Sequence, residues 1–192
     1  SAPDLWASAA CMKSPIERRK PEGSLDYLSL AVTTVGVGYL PIAPGTYGSL
    51  LAAGFYFALA NAFSSFRYGP GLGAAEPVVA SIHAAILIAF FLFTLLGVWA
   101  SGRATELLGS LDPSEAVIDE VVGQLIVFLF IPFTTSWILI IFGFLLFRLF
   151  DIWKPYPIDD LQDLPGGIGI CADDFLAGIY AGVCLSVIYA IS

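Results

Sequence analysis

Histidine, cysteine and charge are all scarce in this 192-residue sequence, and each scarcity closes off a class of chemistry. The single histidine, His83, opens an apolar run with no acidic neighbour, so it reads as a packing or interfacial residue. One histidine leaves no His/Cys set for zinc, and none to partner it in a histidine-using lipid phosphatase. The three cysteines, Cys11, Cys171 and Cys184, form no C-x-x-C pair and are odd in number, so no disulfide framework is expected. A cysteine nucleophile is not expected either. The phosphate-cradling C-x5-R arrangement from Cys171 would need arginine at 177, where Ala177 stands. Eight basic residues against sixteen acidic ones give a net charge of −8. Nucleic acid binding needs a basic stripe, and that balance argues against one. No apolar core of a signal peptide occurs before residue 24, so no cleavable leader is expected.

Charged residues reach only 12%, against about 25% in an ordinary soluble domain. Hydrophobic residues make up 58%, and the mean hydropathy is +0.85. This is a membrane composition. The length suits one domain, expected over 24–192. Residues 1–23 are polar and Pro-containing, with Lys13, Arg18, Arg19 and Lys20 in the second half. They read as a flexible basic segment.

Apolar runs cover 50–63, 82–100, 121–147 and 175–191, and the Gly/Pro-rich stretch 64–81 reads as a loop. A bilayer span takes about 20 residues. The third run is long enough to cross once, but Ile131-Pro132-Phe133-Thr134-Thr135-Ser136 interrupts it. Proline removes a backbone donor and clashes with the preceding turn. Two short helices, near 116–131 and 135–150, are therefore expected as a hairpin, each about 24 Å long. The expected fold is all-α, a membrane protein of about five to six helices, with spans at 48–63, 82–105, 116–131, 135–150 and 174–191. This parity puts Thr46, Asp119, Asp151 and Asp173 on one membrane face with the basic N-terminal run. The positive-inside rule makes that face cytoplasmic.

Four clusters hold most of the polarity that the apolar segments carry. Pro44-Gly45-Thr46-Tyr47-Gly48-Ser49 leads from a loop into a helix whose unpaired N–H groups can meet an anion, or whose start Thr46 or Ser49 can cap. Asp119 and Glu120 stand side by side at a helix mouth, and Gly123 leaves room on the face of Asp119. Arg148, Asp151 and Lys154 are three apart, which places them on one helix face before Pro155. The spacing fits an ion-pair ladder or a phosphate grip. Asp173 and Asp174 enter the last apolar helix, where Gly178 and Gly182 form a small-xxx-small face. From Leu107 onward ten carboxylates face only two basic residues, Arg148 and Lys154. Carboxylates among apolar helices need neutralising, and hard oxygen ligands suit Mg2+. From the residues alone this is a metal site for a phosphorylated ligand. A cation path would instead put its acids near mid-membrane, and a phospholipid alcohol phosphotransferase would show D-x-x-D-G-x-x-A-R, which does not occur.

Taken in order, Gly38-Tyr39-Leu40-Pro41 through Ser49, Ile118-Asp119-Glu120, Phe147 to Pro155, and Gly166-Gly167-Ile168-Gly169-Ile170 with Asp173-Asp174 resemble the phosphatidylglycerophosphatase A family over about residues 30–185. The longer N-terminus and the 64–81 loop depart from the family pattern. The resemblance implies an all-helical enzyme that removes the terminal phosphate of phosphatidylglycerophosphate with Mg2+, giving phosphatidylglycerol in the bacterial inner membrane. On that footing Asp119, Glu120, Asp151, Asp173 and Asp174 are the expected metal ligands, and Asp119, Asp151 and Asp173 the catalytic acids. Arg148 and Lys154 would neutralise phosphate charge, and Gly45, Thr46, Gly48 and Ser49 would cradle the phosphate. Attack by water and an aspartyl-phosphate intermediate both remain open. Oligomeric state is not legible.

Overall fold

Pro132 does break the long apolar run. In a computed structural model, which describes residues 18–68, 76–110, 113–161, 164 and 166–192, one helix ends at Leu129 and the next begins at Trp137. The elements are α1 (Ser24–Thr34), α2 (Pro44–Tyr68), α3 (Glu76–Leu108), α4 (Ile118–Leu129), α5 (Trp137–Trp153), α6 (Ile158–Leu161) and α7 (Gly167–Ile191). No strand occurs among the described residues. Among the described residues, three helices, α2, α3 and α7, are long and apolar enough to cross a membrane. The chain is an all-helical, membrane-associated protein.

The boundaries of α2 and α3 move outward from those expected, whereas α4 is shorter than expected and α5 starts later. Residues 64–68 and 76–81, read as loop, continue α2 and begin α3. Ser64, Ser65 and Pro77 are tolerated there because Pro77 sits in the first turn, where its missing N–H is no loss. Residues 69–75 of that loop lie outside the described residues. Of the N-terminal segment expected to be flexible, residues 1–17 also lie outside them. Arg18 and Arg19, however, are tied to the end of α3: Arg18 Nε donates to the Leu107 carbonyl (3.2 Å) and the Arg19 N–H to that of Glu106 (2.9 Å).

The hairpin helices differ in kind. With 12 residues, α4 is only about 18 Å long. Nine of its twelve residues are buried, so it is a core helix wrapped by others rather than a lipid-facing span. That setting lets it carry acids. α5, with 17 residues, buries only Leu139, Ile140, Gly143 and Phe147. The turn between them is fastened to α2: Tyr56 stacks on Phe128 (centroids 4.2 Å apart), and its hydroxyl accepts the Thr134 N–H (3.1 Å). His83 packs here too, 5.0 Å from Phe63 and 5.5 Å from Phe133 between ring centroids. It is a packing residue.

Backbone proximity sets the register of α4 against α7. A β-carbon on Gly178 would meet the carbonyl oxygen of Gly123, and one on Gly182 would meet the Phe130 ring. The small-residue face of α7 thus receives α4.

At the opposite end from the hairpin turn, α1 holds the start of α4: the Val117 N–H donates to the Thr33 carbonyl (2.9 Å). α1 is polar inward and apolar outward. Asp26, Ser29, Thr33 and Thr34 are buried, while Leu25, Tyr27 and Leu28 are exposed. Asp26 explains the inversion. It accepts two bonds from Arg19 (2.9 and 3.0 Å), one from Arg103 Nε on α3 (2.8 Å) and one from the Glu22 N–H (3.1 Å). Hydrogen bonds from Arg19 and the Glu22 N–H, then from Arg103, outweigh burial and hold its carboxyl below the ordinary aspartate range.

Candidate active site

Val117 and Ile118 are buried and seat the start of α4 in the bundle. Asp119 and Glu120 follow in its first turn and are carried inward with it. Asp174 reaches the same point from α7, and one oxygen from each of Asp119, Glu120 and Asp174 lies within 4.8 Å of the others. Asp119 and Asp174 are buried, and Glu120 is half-buried. Asp119 Oδ1 accepts the Glu120 N–H (3.1 Å), and Glu120 Oε2 is buried without a hydrogen-bond partner among the described residues. Three carboxylates this close repel one another unless a cation or protons intervene. The donor set, all hard oxygens with one left unpartnered, fits a divalent cation such as Mg2+.

The other two acids are charge-paired. Arg148 Nη1 lies 2.6 Å from Asp151 Oδ2 within α5, and Lys154 Nζ donates to Asp173 Oδ2 at 2.7 Å. Asp173 Oδ1 is buried without a partner among the described residues, and Asp151 lies within electrostatic reach of Glu120 and Asp174. The five expected acids therefore share one region, with Asp119, Glu120 and Asp174 gathered and Asp151 and Asp173 bridging to cations.

Two local expectations need correcting. Lys154 does not continue the helix face of Arg148 and Asp151. It caps α5 in the left-handed conformation (φ 45°), its N–H donating to the Phe150 carbonyl (2.8 Å), and so turns across to α7. Burial works against its charge, but Asp173 and then Asp174 and Asp151 outweigh burial and raise its pKa above the ordinary lysine value. Asp173 and Asp174 do not stand at a helix mouth either. α7 starts at Gly167, after Gly166 with φ 65°, which makes them its seventh and eighth residues. Nothing in Ile168-Gly169-Ile170-Cys171-Ala172 breaks a helix, and close packing admits the glycines.

Gly45, Thr46, Gly48 and Ser49 lie on the first turns of α2, not in a loop, because Pro44 serves as the first helical residue. Ser49 does not act as the cap: its Oγ donates back to the Gly45 carbonyl (3.0 Å), and the Thr46 N–H donates to the Ala43 carbonyl (3.0 Å). Gly45 itself rests on the carboxylate of Glu120, and Gly48 on the Val117 carbonyl. The positive end of the α2 dipole thus meets the acids of α4.

Sequence reasoning missed Gln124, one turn beyond Glu120 on the same face, which is fully buried. It also missed the Asp26–Arg19–Arg103 knot that ties α1 to α3. The signal for Gln124 was present, as the one amide in an apolar stretch. That for Arg103 was not, since Asp26 is 77 residues away. Cys171 is buried, with its Sγ 4.0 Å from Ser101 Oγ. A cleft of about 640 Å³ lies at the other end of the bundle, lined by Phe63, Arg67, Glu76, His83 and Phe133 among others, well away from the acids.

A family model described as phosphatidylglycerophosphatase A matches residues 30–189. A Bacteroides thetaiotaomicron protein named as a phosphatidylinositol-3-phosphatase is 35% identical over 158 residues, covering 81% of this chain and 89% of that protein. Phosphatidylglycerophosphatase A of Haemophilus influenzae is 49% identical over 74 residues, 38% of this chain and 43% of that protein. The Escherichia coli protein of the same name is 40% identical over 62 residues, 32% of this chain and 36% of its own length. No solved structure matches the chain.

Proposed function

The chain belongs to the phosphatidylglycerophosphatase A family, whose members are phosphoric monoester hydrolases, and we propose that it releases the terminal phosphate of phosphatidylglycerophosphate in an Mg2+-dependent reaction, giving phosphatidylglycerol for bacterial phospholipid synthesis. The observation that carries this reading is the group Asp119, Glu120 and Asp174 beside Arg148 and Lys154. These three acids, with Asp151 and Asp173 adjoining, would hold the cation. When bound, Mg2+ supplies concentrated positive charge for a phosphoryl group that gains negative charge in the transition state.

The chain's own residues supply the rest. Lys154 and Arg148 are each held by a carboxylate, so their charges stay at the site in fixed positions, where they can offset charge on the phosphate oxygens. The start of α2 at Gly45 turns the positive end of its dipole toward the same phosphate. The Ser49 hydroxyl, committed to Gly45, serves that turn's shape. Acids gathered at one end of the bundle suit a headgroup presented from the membrane surface, whereas a cation path would string them along the bundle.

Arg18, Arg19 and Lys20 lie at the same end as the acids. The positive-inside rule then favours an inner-membrane protein whose site faces the cytoplasm.

The test is phosphate release by the purified protein in detergent, with Mg2+ or with EDTA, from phosphatidylglycerophosphate and, in parallel, from phosphatidylinositol 3-phosphate. Release from the first lipid only with Mg2+ is expected. Preference for the inositol lipid, the substrate class in the name of the Bacteroides relative, would replace the substrate assignment. No release from either would overturn the reading.

A further inference from the structure

Gln124 is 0% exposed, and neither its amide nitrogen nor its amide oxygen has a hydrogen-bond partner among the described residues. Buried amides are rarely left unpaired in native proteins, because the lost water contacts are not replaced. Its neighbours along α4, from Val121 to Phe128, are otherwise glycine or apolar. A leucine or methionine would fill the position without that penalty, so the amide calls for a ligand.

Its place in the fold says which one. Gln124 follows Glu120 by four residues, on the same helix face and about 6 Å deeper into the bundle. The residues around it on that face meet α2: Val121 lies against Gly48, and Phe128 stacks on Tyr56. On the other side, Phe147 of α5 packs against Gly123, and Arg148 follows Phe147 in sequence. Gln124 thus lies one helical turn beneath Glu120, whose Oε2 is also buried and without a partner among the described residues.

We propose that Gln124 forms the floor of the phosphate site. Its Nε2–H donates to a phosphoryl oxygen, and its Oε1 accepts a hydrogen bond from the attacking water, which is thereby aimed at phosphorus. The inference rests on the phosphatase reading above. In the reaction the water oxygen bonds to phosphorus as the bond from phosphorus to the glycerol oxygen breaks. One water hydrogen ends on that glycerol oxygen and the other stays on the released phosphate. Gln124 neither gains nor loses a proton. Its role is geometric.

The experiment compares wild type with Gln124→Met, Gln124→Leu and Gln124→Glu in detergent, using phosphatidylglycerophosphate and Mg2+. The Met and Leu variants keep the volume but remove donor and acceptor. Their kcat should fall roughly 10- to 100-fold with KM changed little, the pattern of a contact made mainly in the transition state. Their thermal midpoints should stay level or rise, because an unpaired buried amide has been removed. Gln124→Glu, which removes the donor and adds charge beside Glu120, should also lose kcat. A Met variant with wild-type kcat would overturn the role of Gln124 while leaving the phosphatase reading intact. Should the Leu variant fail to fold, the more flexible Met decides. Wild-type protein that releases no phosphate would sink both.

Discussion

The carboxylate of Glu120 occupies the space in which any side chain at Gly45 would begin. This contact joins the start of α2 to the start of α4, and it sets how far apart the N-terminal end of α2 and the acids can be. Gly45→Ala should therefore displace Glu120. The carboxylate is the far end of a flexible side chain, so the fold should survive while kcat drops by about tenfold or more. Circular dichroism and phosphate release, measured together, check this. Equal activity in the Ala variant would show that Glu120 need not stay where it is.

Gly178 makes a different kind of contact, with the backbone carbonyl of Gly123, which cannot swing aside. Gly178→Ala should destabilise by about 1–3 kcal/mol, the usual cost of overpacking. Gly54, with nothing within 4 Å of a built β-carbon, is the control. Gly54→Ala should be neutral or slightly stabilising in thermal melts, since alanine favours the helix.

Removing the cation should abolish phosphate release, and Mg2+ should restore it. If Asp174 is one of three gathered donors, Asp174→Asn should raise the Mg2+ concentration for half-maximal activity by about tenfold or more, given the loss of one charged hard ligand. Unchanged Mg2+ dependence would remove Asp174 from the ligand set.

Lys154→Met should lower both activity and thermal midpoint, because it leaves Asp173 without its partner in a mostly buried setting. Lys154→Arg should retain part of each. The raised pKa of Lys154 sets the pH window. Its contribution is complete below the unfolded lysine value of about 10.4 and fades only as pH climbs through the higher folded value. A wild-type alkaline activity loss between pH 7 and 9 should therefore persist unchanged in Lys154→Arg.

Asp26 works in the opposite direction. Its lowered pKa means that its pairing contributes above the ordinary aspartate range and is lost as pH falls through the folded value. Asp26→Asn should release α1 from Arg19 and Arg103, lower the thermal midpoint at pH 7, and lose that difference from wild type only in strong acid. A difference that vanished already at pH 5 would contradict the paired geometry.

Much of the fold was legible because its determinants are local. The scarcity of charge marks a membrane protein, and Pro132 removes one backbone donor from a run that could otherwise cross once. Pattern also marks the acids, since adjacent carboxylates in apolar surroundings need explaining wherever they sit. Boundaries were less legible. Pro44, Pro77 and the glycines of 166–169 look like punctuation, yet they stand at helix starts, where the backbone tolerates them.

By itself, then, the sequence determined an all-helical membrane protein with a break at Pro132, and it singled out five acids set in apolar surroundings. Only the tertiary structure decided how those acids divide. Asp119, Glu120 and Asp174 come together because Gly123 and Gly178 let α4 and α7 touch backbone to backbone. Asp151 keeps Arg148 within its own helix, and Asp173 takes Lys154 because the left-handed cap turns that side chain toward α7. Each of these choices depends on distances between helices, and helix spacing is set by which small residues face each other across the bundle rather than by the order of residues along the chain.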